Sequence, residues 1–215
     1  MIIFAIIVLK TYLLTILKLC SGIYYDKKKE LKTYNPFVSV IIAARNEELS
    51  LPKLLKALTS QNYRIDNYEI IVVNDRSTDK TAEVVNDFKK DFNNIKLINI
   101  DSTPIGWSNK KWALNQAINK SKSDILLQTD ADCIPGKDWI KSMADYFEDT
   151  KVGLVCGPTP LVHKDLFLSS LFEMESLIQE SVNAGAIKNK LYLSCTGRNL
   201  AFKKNVFKKV NGYIG

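Results

Sequence analysis

The sequence predicts an α/β protein in which a mostly parallel sheet is flanked by helices and preceded by an apolar N-terminal helix. Short apolar runs alternate with segments whose apolar residues recur at helical spacing. Strands that are separated by helices are typical of parallel sheets. The chain has 215 residues, of which 46% are hydrophobic, and only 9 Gly and 6 Pro. This composition allows a buried core and excludes a collagen-like or linker-dominated chain.

The N-terminal segment, residues 1–25, is long and apolar enough to span a bilayer. Lys10 lies near its middle and costs about 2.5–3.5 kcal/mol on the insertion scale, which the surrounding Ile, Leu, Val and Phe offset. An interfacial helix and a core helix of a soluble protein remain as alternatives. Residues 26–36 form a basic linker. By the positive-inside rule, its lysines predict an inner or plasma membrane location with the following domain in the cytoplasm.

The remaining elements follow in order along the chain. Apolar runs predict strands over residues 37–44, 68–73, 95–100, 124–128 and 152–157. Apolar stripes predict helices over residues 47–58, 79–90, 110–120 and 139–147. The leucines at 49, 51, 54, 55 and 58 form the first stripe, with Asn46 as a possible cap. Thr78 or Asp79 lies near the start of the second helix.

Cysteine usage and charge limit the classes of function. The four cysteines lie far apart without a CxxC pair, so neither a disulfide framework nor a zinc site is expected. Free thiols fit a reducing compartment such as the cytosol. The single histidine, His163, excludes sites that need several imidazoles. The net charge of +7 is scattered along the chain without an RNA or DNA motif, which disfavours nucleic acid as a partner.

Polar, acidic residues follow three of the predicted strands. The first strand runs into RNEE (45–48), the second into NDRSTD (74–79) and the fourth into TDAD (129–132). Ligands of parallel sheets bind at the carboxyl ends of strands, so neighbouring strands would bring these clusters together. Carboxylates that close repel one another unless a cation neutralises them. Asp130 and Asp132 suit Mg²⁺ or Mn²⁺, with phosphate oxygens completing the shell.

Each of these signals is weak by itself. A DxD is often a solvated loop, and NDRSTD is also a common start of a helix. The first strand lacks a following GxGxxG, and the chain has no GxxxxGK[ST] sequence. A dinucleotide-binding site and a P-loop are therefore disfavoured.

Five segments together resemble the family 2 glycosyltransferases: VSVIIAARNEE, IIVVNDRSTDKT, GWSNKKWALNQA, LLQTDADC and CTGRNLAFKKNVFKKVNGY. The N-terminal helix and the GW segment are similar to the membrane-bound bacterial branch. The resemblance covers residues 37–215 and implies a GT-A fold, a Rossmann-like nucleotide-binding architecture. It also implies a nucleotide-sugar donor, with a UDP-sugar favoured, and a divalent metal. The transfer would invert the configuration at the anomeric carbon. The acceptor would be a saccharide or a lipid-linked group, in polysaccharide or glycolipid biosynthesis.

The resemblance also implies roles for particular residues. Asp75 would read the uracil edge of UDP, Lys110 would meet ribose or phosphate oxygens, and Asp132 would be a direct metal ligand beside Asp130. The donor-binding set is Ala43, Ala44, Arg45, Glu47, Asp75, Asp79, Lys110 and Asp130. The acceptor and sugar side is Thr196, Gly197, Arg198 and Asn199, where Gly197 would allow close approach of a sugar.

The catalytic base is not assigned. The resemblance implies an acidic pair beyond Gly215, so the chain is expected to be a fragment that binds donor and transfers sugar poorly. Glu173, Glu175 and Glu180 are interpreted as the polar side of a packed helix. Two alternatives remain open: a nucleotidyltransferase-like enzyme, and a non-catalytic membrane protein that binds nucleotide sugars.

Overall fold

The fold is taken from a computed structural model, which describes residues 2–24, 34–160, 166–191 and 194–213. The strands are Val38–Ala44 (β1), Tyr68–Asp75 (β2), Ile95–Ile100 (β3), Ile125–Gln128 (β4), Leu154–Cys156 (β5) and Leu200–Lys203 (β6). The α-helices are Ile2–Tyr24 (α1), Leu51–Thr59 (α2), Thr81–Asp91 (α3), Asn109–Lys120 (α4), Trp139–Ala144 (α5), Leu166–Lys188 (α6) and Lys204–Lys209 (α7). Short 3₁₀ helices occupy Ile65–Asn67 and Asp145–Glu148.

The six strands form one mixed sheet in the order β3-β2-β1-β4-β6-β5. The first four strands in this order are parallel to one another, and β6 is antiparallel to both β4 and β5. The predicted α/β fold with a mostly parallel sheet is therefore confirmed. Strand β6 was not predicted, because its four residues, LAFK, form a segment too short and too polar to stand out as an apolar run.

The first stripe of leucines begins later than predicted. Helix α2 starts at Leu51, and Leu49 lies in the preceding turn with 81% of its surface exposed. Asn46 does not cap this helix. Its backbone is left-handed, with φ at 57°, and its Oδ1 accepts from the N–H of Thr78 at 2.8 Å. The Asn46 side-chain oxygen therefore bonds to the loop after β2 and not to the first turn of α2.

Both faces of the central strands are buried, as parallel sheets require. On one face, alternate residues of β1 pack against Leu51, Leu54, Leu55 and Leu58 of α2 and against Val85 of α3. On the other face, Ile41 packs with Ala113, Leu114, Ala117 and Ile118 of α4. Each fully buried leucine stabilises the fold by roughly 1.5–3 kcal/mol. This core holds the carboxyl ends of the strands in a fixed register.

The chain forms two compact units: one contains α1 and α6, and the other contains the sheet with the remaining helices. Within the first unit, Gly185 lies against the backbone of Leu19, where a Cβ would come within 2.2 Å of the Leu19 carbonyl oxygen. The Asn189 amide donates to the Lys18 carbonyl at 2.8 Å. The segment Ile3–Ser21 is long and apolar enough to cross a membrane.

The second helix of this unit, α6, exposes much of its apolar surface. Leu171, Phe172, Met174, Leu177 and Ile178 are each about half exposed. Glu180 accepts from the N–H of Thr159 at 2.6 Å. The interpretation of the α6 acids as one polar side of a packed helix therefore accounts for only part of its surface. Residues 26–33 of the predicted basic linker lie outside the described residues.

All four cysteines are free thiols, as the sequence predicts.

Candidate functional site

The register of the parallel strands brings the three acidic clusters to one edge of the sheet. Ala44 at the end of β1 lies opposite Asn74 of β2, which lies opposite Asn99 of β3. On the other side, Ile41 pairs with Gln128 at the end of β4. The residues that follow Gln128 therefore continue alongside the end of β1. Parallel sheets place their ligand sites at this edge.

The loops after β1 and β2 are tied together by hydrogen bonds. The N–H of Asn46 donates to Ser77 Oγ at 3.1 Å, and the N–H of Glu47 donates to Thr81 Oγ1 at 2.8 Å. Of the predicted donor-binding residues at the end of β1 and just after it, Ala44 is buried, Ala43 is half-buried and Arg45 is exposed. The two loops thus form one continuous wall, with Arg45 at its solvent side.

Asp79 is committed to this loop structure. Its Oδ2 accepts from the N–H of Glu48 at 3.1 Å, and its Oδ1 accepts from the N–H of Thr81 at 3.0 Å and from the Thr81 hydroxyl. Burial acts to raise the pKa of this carboxyl, but these hydrogen bonds outweigh it, so the pKa is lowered. The geometry places Asp79 as a loop and helix-start anchor.

Asp75 ends β2 as a buried carboxylate. The next residue, Arg76, has a left-handed backbone with φ at 54°. Its side chain folds back so that Nε lies 2.8 Å and Nη2 2.7 Å from Asp75 Oδ1. A left-handed residue other than glycine costs about 1–3 kcal/mol and persists where surrounding contacts impose it. Such outliers cluster at functional sites.

The Asn74 side chain stabilises this turn by hydrogen bonds. Its Nδ2 donates to Asn99 Oδ1 at 2.9 Å, and its Oδ1 accepts from the N–H of Ser77 at 3.2 Å. The amide thereby links β3 to the loop after β2, which explains a buried polar side chain at this position.

Lys110 and Asp130 form an ion pair, with Lys110 Nζ 2.7 Å from Asp130 Oδ1. The lysine lies in the first turn of α4, and its side chain is 55% exposed, whereas that of Asp130 is 23% exposed. The loop before this helix is fixed by Trp107 and Trp112, whose rings meet edge to face with centroids 5.2 Å apart. The structure therefore joins two residues that the sequence analysis assigned to different ligands.

Asp132 is exposed at the same edge. The Cys133 thiol lies 3.8 Å from Asp132 Oδ1, and burial raises the pKa of that thiol. Among the described residues, no group of three or more His, Cys, Asp or Glu side chains is placed to hold a metal ion. Asp130 and Asp132 supply two hard oxygen donors, so a cation here would need further ligands besides these two side chains.

Gln128, which the sequence analysis missed, organises the segment from Thr196 to Asn199. Its Nε2 donates to the Gly197 carbonyl at 3.0 Å, and its Oε1 accepts from the Tyr213 hydroxyl at 3.2 Å. A Cβ at Gly197 would lie 2.5 Å from Gln128 Nε2. A side chain at 197 would therefore require the Gln128 amide to move. The available signal was a glutamine at the end of an otherwise apolar strand.

The same segment is held on its other side by Trp139 and Gly157. Trp139 Nε1 donates to Asn199 Oδ1 at 2.9 Å, and the N–H of Gly157 donates to the Asn199 carbonyl at 2.9 Å. Arg198 Nε donates to Thr196 Oγ1 at 3.2 Å. The four predicted residues are therefore brought to the end of β4, beside the acidic loop.

Comparison with known proteins identifies the family. The model of Glycosyl transferase family 2 matches residues 39–210. The chain belongs to glycosyltransferase family 2. It is 32% identical over 196 residues to the probable glycosyltransferase YdaM of Bacillus subtilis (strain 168), covering 87% of this chain and 44% of that protein.

Two further proteins are similar to this glycosyltransferase chain. A beta-monoglucosyldiacylglycerol synthase of Nostoc sp. (strain PCC 7120) is 33% identical over 128 residues, covering 60% of this chain and 27% of that protein. The structure of a mannosyltransferase from Pyrobaculum calidifontis, in complex with GDP-Man and Mn²⁺, superposes with a TM-score of 0.66. That likeness has 22% identity and covers 92% of this chain and 54% of the other. The structural likeness confirms the GT-A fold. The chain spans less than half the length of each of the two curated relatives.

Proposed function

We propose that this chain carries the donor-binding part of a glycosyltransferase that moves a sugar from a nucleoside diphosphate to a saccharide or lipid-linked acceptor. The observation that carries the proposal is the convergence of Asp75, Lys110 and Asp130 at the carboxyl edge of a parallel sheet. Family membership favours this function over the nucleotidyltransferase alternative.

Asp75 is proposed to bind the base of the nucleotide. A carboxylate accepts hydrogen bonds only, which suits the ring N–H of uracil and favours a UDP-sugar as donor. Both contacts from Arg76 go to the same oxygen, Oδ1. Ala43, Ala44, Arg45 and Glu47 would form the neighbouring wall, and Asp79 would hold the wall in place through its backbone contacts.

Asp132 and Asp130 are proposed to hold a divalent cation, Mg²⁺ or Mn²⁺. Their oxygens are the ligand type that these hard cations prefer, and the exposure of Asp132 leaves it open to a ligand. When bound, such an ion neutralises charge on the leaving diphosphate. The mannosyltransferase relative of known structure was obtained with Mn²⁺ and a nucleotide sugar, which supports the proposal.

Lys110 and the start of α4 would bind the diphosphate. Lysine donates to phosphate oxygens as a point charge, and the first turn of a helix presents N–H groups and a positive dipole end. The segment from Thr196 to Asn199 would form the sugar and acceptor side. An inverting transfer also needs a base for the acceptor hydroxyl proton. We assign that role to none of the described residues.

Membrane association through α1 is part of the proposal, with the catalytic domain over residues 37–215 on the cytoplasmic side. The length and apolar composition of Ile3–Ser21 support it. The similarity to a beta-monoglucosyldiacylglycerol synthase supports a lipid acceptor. Deletion of residues 1–25 should release the protein from membranes at moderate salt.

A calorimetric titration tests the donor site. The 215-residue chain should bind UDP tightly with Mn²⁺ and weakly in chelator, because Asp130 and Asp132 repel the diphosphate without a cation. Radiolabelled UDP-sugars, offered with membrane lipids and oligosaccharides, then test transfer. Failure to bind UDP under either condition would refute the donor site. Release of pyrophosphate instead of UDP would establish the nucleotidyltransferase alternative.

A further inference from the structure

The ion pair between Lys110 and Asp130 joins a proposed diphosphate ligand to a proposed metal ligand, at 2.7 Å. A divalent cation bound to the same carboxylate oxygen would repel the ammonium, so the two cations compete for Asp130. We infer that Lys110 is a placeholder that occupies Asp130 until metal and nucleotide arrive together, and that it then transfers to the diphosphate. Lys110 is thus a positioning residue. This inference rests on the proposed function.

Exposure indicates which partner moves. The Lys110 side chain is 55% exposed and projects from the first turn of a helix, so it can change partner without disturbing the core. Asp130 lies two residues after the end of the buried strand β4, and its side chain is 23% exposed. The lysine is the mobile member of the pair, and the aspartate is the fixed one.

The position of Lys110 on α4 makes a neighbouring anion favourable. The first turn of a helix carries the positive end of the helix dipole, where a cation is disfavoured. The Asp130 carboxylate compensates for this positive charge. A metal ion alone would take Asp130 from Lys110 without replacing the negative charge. A metal ion with a nucleoside diphosphate supplies the anion, so the two ligands should bind cooperatively.

The test compares Lys110→Met with Lys111→Met, which removes the same charge from the exposed neighbouring residue. Electron paramagnetic resonance with the full chain measures Mn²⁺ binding without nucleotide. Lys110→Met should bind Mn²⁺ alone about two- to fivefold more tightly than wild type, the range expected for loss of one exposed ion pair. At saturating Mn²⁺, it should bind UDP about tenfold more weakly, because a charge-assisted contact is lost.

Tighter binding of Mn²⁺ together with weaker binding of UDP is the combination that a placeholder predicts for Lys110→Met. Damage to the fold would weaken the binding of both ligands. A general effect of charge would change Mn²⁺ and UDP binding equally in Lys111→Met. Lys110→Arg keeps the charge and should keep Mn²⁺ binding weak in the absence of nucleotide.

Unchanged or weaker binding of Mn²⁺ alone by Lys110→Met would overturn the inference, and so would equal tightening in Lys111→Met. If wild type still binds UDP in a Mn²⁺-dependent manner, the proposed function survives that result. Absence of both Mn²⁺ and UDP binding in every variant would overturn both.

Discussion

Two carboxylates at opposite ends of the same sheet have opposite environments. Glu69, near the start of β2, is 3% exposed and has three partners. It accepts from the Ser39 hydroxyl at 2.7 Å and the Lys122 N–H at 2.6 Å, and it pairs with Lys96 Nζ at 2.6 Å. Asp130, after the end of β4, is paired with the half-exposed Lys110.

The difference separates a carboxylate whose partners are all fixed by the fold from one whose partner is open to exchange. A buried carboxylate with its partners fixed by the fold cannot exchange them without leaving donors unsatisfied. A partly exposed carboxylate with a flexible partner can exchange it for a ligand. The amino end of this sheet is therefore expected to contribute stability, and the carboxyl end carries the candidate site. Four measurements test that contrast.

Glu69→Ala should give the largest effect on stability. The substitution leaves the Ser39 hydroxyl, the Lys122 N–H and the Lys96 ammonium without their carboxylate partner. Breaking such a buried network lowers the free energy of unfolding by about 3 kcal/mol. Urea unfolding measures this. Asp130→Ala is the matched control and should change the free energy of unfolding by less than about 1 kcal/mol. Equal losses at the two ends would refute the contrast.

Asp132→Asn should lose most of the Mn²⁺-dependent UDP binding, by about thirtyfold, because a neutral amide is a poorer ligand for a hard cation. Calorimetry with and without Mn²⁺ measures it. Asp79→Asn is the control at the same edge: its hydrogen bonds to Glu48 and Thr81 predict lower stability with a smaller change in metal dependence. A larger loss of metal-dependent binding in Asp79→Asn would show that Asp79, and not Asp132, is the more important metal ligand.

Gly197→Ala tests how rigid the carboxyl edge is. The new Cβ would meet Gln128 Nε2 at 2.5 Å, so the glutamine must move and its bonds to Gly197 and Tyr213 weaken. Overpacking of this kind costs about 1–3 kcal/mol. Gly136→Ala, with no atom within 4 Å of the new Cβ, should cost less than about 0.5 kcal/mol. Thermal unfolding compares them, and equal melting temperatures would contradict the packing argument.

The pH dependence of stability should be the smallest effect. Burial acts to raise the pKa of Glu69, but hydrogen bonds from Lys96, Lys122 and Ser39 outweigh it, and the pKa is lowered from 4.5. A lowered pKa in the folded state stabilises the protein fully above pH 4.5, and the stabilisation is lost as pH falls below that value. Glu69→Gln should therefore show a flatter decline in stability below pH 4.5. An identical slope in wild type would exclude a contribution from Glu69.

The central part of the fold could be predicted from local patterns. Apolar runs located all four parallel strands, and the acidic residues just after them located the candidate site, because strand direction and the carboxyl edge follow from the order of strands and helices. Only the element ends shifted, as at Leu49, which lies outside its predicted helix. The short strand β6 lacked enough apolar residues to be recognised.

The amino-acid sequence by itself determined which residues face a core, which follow strands and which are charged. It left open which of these residues meet. The pairs Lys110–Asp130 and Gln128–Gly197, the antiparallel placement of β6 and the packing of α6 with α1 were decided only in the tertiary structure. The reason is physical: periodicity reports the side of an element on which a residue lies, whereas a contact between distant segments depends on the register and packing of the whole fold.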